Sequence, residues 1–126
     1  MKQIIILIVS LGLLVFSGIW EVSYLDKTSQ YVLSDVEYSK NALLNGDFEL
    51  AKEHIKEIEN SWNNTKTIWN IFITHDEIDK IEEQIVKYRT YIDEKNREEA
   101  IVASDLLQRD LRHIVEKQRL DIGNVL

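Results

Sequence analysis

Phe48, Ala51, Ile55, Ile58, Trp62, Thr65, Trp69 and Phe72 follow one another in steps of three and four without a gap. Only an α-helix brings such positions onto one face, and a mean step of 3.5 residues is the heptad pattern of helices packed with a left-handed twist. Lys52, Glu53, Lys56, Glu57 and Glu59 occupy the other face. A helix so divided needs other helices to cover its apolar side.

The rest of the chain supplies them. The sequence contains no Pro and only 4 Gly, so little interrupts helix formation. From Val22 to Leu44 the pattern is helical. Tyr24, Tyr31 and Tyr38 recur at seven-residue spacing, with Leu25, Val32, Val36 and Leu43 expected near the same stripe and the polar residues between them on the surface. Asn45-Gly46-Asp47 breaks this helix, with Gly46 suited to a left-handed closing residue and Asp47 to the next N-cap. Thr74-His75-Asp76-Glu77 has the spacing of a capping box, with Ile73 and Ile78 placed as a hydrophobic staple. Ile78, Ile81, Ile85, Tyr88 and Ile92 form the next stripe. After the turn Asp93-Glu94-Lys95-Asn96, where Asn96 and Glu99 make a second cap-like pair, comes a last helix with Ala100, Ala103, Leu107, Leu111 and Ile114 inward. Its stripe slips by one residue between Leu107 and Leu111, which predicts less regular packing. The apolar end Leu120 to Leu126 is expected to dock.

Ile4 to Trp20 carries no charge and lies at the short end of a membrane-spanning length. Lys2 precedes it, while Glu21 and Asp26 follow, an asymmetry that places the N-terminus inside and the remainder outside. The expectation is an uncleaved signal anchor over residues 1–21 and an extracytoplasmic bundle over 22–126. A cleaved signal peptide, with Val15 and Ser17 before Gly18, and a buried soluble helix are the competing readings. Trp20 fits an interfacial anchor. The predicted fold is all-α: an N-terminal transmembrane helix followed by an antiparallel, coiled-coil-like bundle of about four helices. An elongated helical array is the second architecture. The segment LNGDFELAKEHI has the look of a tetratricopeptide helix start, but the first and third helices do not repeat each other in sequence, so it reads as ordinary helical-hairpin grammar.

Composition narrows function mainly by exclusion. There is no Cys, which rules out disulfides, thiolate metal sites and a Cys nucleophile. All 22 acidic residues follow Trp20, and of the 15 basic ones only Lys2 precedes it. Such an acidic domain is a poor partner for nucleic acid and for an anionic membrane surface. No HExxH, phosphate-binding Gly-rich loop or recognisable nucleophile motif is present, so no enzyme and no cofactor are expected.

Two clusters remain. His75, Asp76 and Asp79 are the densest set of potential metal ligands, His75 and Asp79 sharing a face at a helix start. Acidic residues also belong in a first helical turn for electrostatic reasons, and that reading ranks first. Trp62, Trp69 and Phe72 are either core or the lining of an aromatic cavity between helices; core ranks first. His54 and His113 read as surface residues.

The Trp62…Trp69 helix end, the run His75-Asp76-Glu77-Ile78-Asp79-Lys80-Ile81-Glu82, the short apolar N-terminus and the closing Asn124-Val125-Leu126 resemble domain-of-unknown-function family 4363, a group of small bacterial proteins. The resemblance implies an N-terminally anchored helical protein with no assigned activity and a membrane-protein neighbour as partner. It carries over no catalytic residues. The expected function is therefore an interaction or accessory module for an integral membrane protein, single-pass in the cell membrane. The alternative is an extracytoplasmic bundle that senses a ligand or metal at one of the two clusters.

Overall fold

The computed structural model describes residues 1–125 and contains four helices and no strand among them. Helix α1 spans Lys2–Leu44, α2 Phe48–Phe72, α3 His75–Asp93 and α4 Arg97–Val125. Each helix adjoins its two neighbours around a ring, α1 with α2 and α4, α3 with α2 and α4, while the backbones of the diagonal pairs stay apart. With turns this short, that contact pattern is an up-down-up-down four-helix bundle.

The core contains the expected stripes. Ala51, Ile55, Ile58, Trp62, Thr65 and Trp69 are buried on α2, all five predicted positions on α3 are buried, and so are all five on α4. Phe48 and Phe72, at the ends of the α2 stripe, are half-buried. Helix α4 buries a broader face than its stripe implied, adding Ser104, Gln108, Asp110 and Val115. The slip seen in sequence is the change from one edge of this face to the other.

On α1 the inward residues are Leu25, Ser29, Val32, Val36, Ser39 and Leu43, with Leu33 and Ala42 beside them. The seven-residue tyrosine row lies off this face: Tyr31 and Tyr38 are each 59 % exposed. Tyrosine tolerates an exposed edge, and the steps of four and three from Leu25 to Leu43 close only when the two serines are counted.

The α1–α2 and α3–α4 turns are built alike. Gly46 N–H donates to the Leu43 carbonyl at 2.9 Å and Asp47 N–H to that of Ala42 at 2.9 Å; Lys95 N–H donates to Ile92 at 3.0 Å and Asn96 N–H to Tyr91 at 2.8 Å. These are paired Schellman closures. Asp47 and Asn96 then cap the next helix, accepting from the N–H of Leu50 at 3.0 Å and of Glu99 at 3.3 Å. The left-handed position is Gly46 at φ 76 in one turn and Lys95 at φ 56 in the other.

The likeness extends down the hairpins. Ser39 and Tyr88 are 49 residues apart. The same interval relates Val32 to Ile81, Val36 to Ile85 and Ala51 to Ala100, all buried. It also relates two polar clasps: Ser61 Oγ donates to Asp35 at 2.7 Å between α1 and α2, and Gln84 Nε2 donates to Asp110 between α3 and α4. The helices that do not resemble each other in sequence nevertheless repeat each other's burial, because packing demands a position and a size rather than one residue type.

At the α2–α3 turn Glu77 N–H donates to Thr74 Oγ1 at 3.4 Å, as the capping pattern requires. The Glu77 carboxylate accepts from the Thr74 hydroxyl at 3.3 Å instead of reaching back to the Thr74 N–H. Ile73 and Ile78, the staple pair, are both buried. Of the terminus expected to dock, Leu120 is exposed, Ile122 is half-buried, and Leu126 lies outside the described residues.

The two left-handed turn residues carry opposite predictions. Gly46→Ala should destabilise the bundle by about 1 kcal/mol, because an L side chain there is strained. Lys95→Gly should stabilise it by about 0.5 kcal/mol by relieving the same strain, less the added freedom of the unfolded chain. Urea unfolding of the protein measures both; shifts of the same sign would contradict the assignment of these turns.

Candidate functional site

Trp69 is fully buried, and its indole N–H donates to Thr28 Oγ1 at 2.8 Å, joining α2 to α1. Trp62 meets it edge-on, with ring centroids 5.6 Å apart. Phe72 faces the other way along the bundle axis and meets Trp20 edge-on at 6.3 Å, while Trp20 stacks on Tyr24 at 5.5 Å. The three aromatic residues singled out in sequence are thus divided: Trp62 and Trp69 pack together, and Phe72 belongs to the end where α1 enters the bundle.

Trp62 also forms part of the wall of an open groove of about 340 Å³ between α2 and α3, beside Glu59, Lys66, Glu82, Ile85 and Arg89. The charged residues of this groove already face one another. Lys66 Nζ lies 2.7 Å from Glu82 and Arg89 lies 2.5 Å from Glu59. The Lys66 ammonium, helped by the Trp62 N–H at 3.3 Å, holds the Glu82 carboxyl below the usual carboxylate range. The groove is zipped by ion pairs across a helix interface, with a single aromatic wall.

His75, Asp76 and Asp79 are all exposed in the first turns of α3. The neighbouring Glu77 pairs with Lys117 of α4 at 3.2 Å. No group of three or more His, Cys, Asp or Glu side chains is assembled for a metal ion among the described residues. The acidic residues here interact with the α3 N-terminus and with a lysine of the next helix. His54 stacks on the exposed Tyr38 at 5.7 Å, and His113 lies by Asp110 and Lys80 between α3 and α4.

The buried polar residues were not legible as such. Tyr88 is fully buried, and its hydroxyl donates to Ser39 Oγ at 2.7 Å across the bundle diagonal. Ser39 Oγ in turn donates to the Ala51 carbonyl at 3.0 Å. This chain links α3, α1 and α2 in an apolar core, where an unpaired hydroxyl would be costly. The clue in sequence was the regular spacing that both serines complete on α1. Burial pushes the Tyr88 phenol up to about 12.

Because the folded-state value lies above that of an unfolded tyrosine, the Tyr88 contribution is complete below about pH 10 and is lost as pH rises toward 12. Ultraviolet titration of the folded protein should show one tyrosine ionising last, and Tyr88→Phe should remove that phase. Retention of the late phase in Tyr88→Phe would refute the assignment. For His75, thermal melts with and without Zn²⁺ or Ca²⁺ should coincide. A rise of several degrees that His75→Ala abolishes would favour the metal reading instead.

No curated protein and no solved structure matches the chain. A family pattern does match it, over residues 19–125. The match begins at the end of the apolar run and takes in the aromatic junction at Trp20, both similar turns and the Ser39–Tyr88 link. The chain belongs to the family described as domain of unknown function (DUF4363).

Proposed function

We propose that the protein is a single-pass protein of the cell membrane whose extracytoplasmic helical bundle acts as an interaction or accessory module for an integral membrane protein. The observation that carries the reading is the state of the apolar run. The most apolar window of α1 is long enough to cross a membrane and 0 % buried by the bundle. The same helix continues unbroken into the core, where Leu25 is its first fully buried residue.

Two local features support a lipid environment for the run. Ser10 Oγ donates to the Ile6 carbonyl and Ser17 Oγ to that of Leu14, each at 2.8 Å, so both hydroxyls are satisfied within the helix. That is what a hydrocarbon surrounding demands of them. Lys2 before the run, with Glu21 and Asp26 after it, supports the inside-to-outside orientation. Support for action by contact is the groove between α2 and α3, whose charges are paired with one another across the helix interface.

Affinity purification of the full chain from detergent-solubilised membranes should recover a reproducible integral membrane partner. Deleting residues 1–19 should move the protein to the soluble fraction and lose that partner. A protein that stays monomeric at native levels and recovers none would contradict the proposal.

A further inference from the structure

The bundle end nearest the apolar run carries apolar residues on two helices besides α1. Ile122 of α4 packs against Gly18, with Ile122 Cγ2 only 3.3 Å from where a Gly18 Cβ would stand. Phe72 of α2 meets Trp20. Both helices therefore descend to the last turn of the apolar run rather than stopping above it. At that level Ile71 is 72 % exposed and Leu120 is 65 % exposed. Each helix end thus places one apolar residue against α1, Phe72 or Ile122, and another at nearly the same level on its open side, Ile71 or Leu120.

The length of the run points the same way. Ile4 to Trp20 is about 25 Å of helix against about 30 Å of hydrocarbon. A span that is too short thins the bilayer or draws its flanks inward. Here the flank is an apolar collar at the level of Trp20, and it widens one helix into a three-helix contact.

We infer that Ile71, Phe72, Leu120 and Ile122 form a collar that seats the bundle directly on the bilayer, inserted at the boundary between headgroups and acyl chains. The occupant of this surface is lipid rather than a protein partner, because the collar is continuous with the span and lies in its boundary plane. The inference rests on α1 crossing the membrane. It adds that the bundle does not float on a tether: α1 is rigid through the junction, and two other helices share the contact.

The chain has no Cys, so single introduced cysteines report one place at a time. Full-length Leu11→Cys, Ile71→Cys, Leu120→Cys and Asn45→Cys variants would be spin-labelled in zwitterionic vesicles of phosphatidylcholine, which do not repel the acidic bundle. Accessibility to oxygen is then compared with accessibility to a water-soluble nickel chelate. The expected oxygen-to-nickel ratio is highest at position 11, several-fold above position 45 at positions 71 and 120, and lowest at 45. Position 11 in lipid with 71 and 120 as aqueous as 45 would overturn the collar while leaving the anchor intact. Low access to both reagents at 71 and 120 would mean a protein contact and would also overturn it. An aqueous position 11 would defeat the anchor reading itself.

Discussion

Everything in this molecule is placed by the continuity of α1. One helix of 43 residues is apolar on all sides in its first half and apolar on one side in its second. A helix without Pro bends only gently, so the two halves cannot be oriented independently. The first half sets the environment, and the second sets where α2 and α4 pack. Trp20 marks the change, and it is held by Tyr24 on its own helix and Phe72 on the next.

Above that junction, apolar burial is the main stabilising force, and a few polar contacts fix the relative positions of the helices. Ile, Leu and Val side chains interlock in ring order, each contributing about 1.5–3 kcal/mol when fully buried. Such packing is tolerant of small sliding motions. The Tyr88–Ser39–Ala51 chain is not, because a shift of one turn would strand hydroxyls in an apolar interior. The Ser61–Asp35 and Gln84–Asp110 clasps set the pitch within each hairpin in the same way. Most of the ion pairs lie on the surface and contribute little individually. Their consequence is local, as where Lys66 and Arg89 zip the Trp-walled groove between α2 and α3.

The concentration of Trp, His and acid between Trp62 and Asp79 has the outward marks of a site. Its parts do different things in the folded chain. Trp62 and Trp69 fill the core, Phe72 closes the junction with α1, and Asp76 and Glu77 lie at the positive end of α3. His75 is exposed at the same end of the bundle as the collar.

The sequence by itself determined the helices, most of their apolar faces, and the capping residue at each of the three turns. Those depend on local rules: a periodicity of three and four, an Asp, Asn or Thr at a helix start, a Gly in a left-handed position. It also determined the uncharged run. Only the tertiary structure decided which tyrosine goes inside, since Tyr31, Tyr38 and Tyr88 all sit at helical spacing and only Tyr88 meets a hydroxyl across the core. It alone gave the left-handed Lys95, the matching burial of the two hairpins and the descent of α4 to Gly18. Each of these depends on residues far apart in the chain, where no local pattern records which face will meet which.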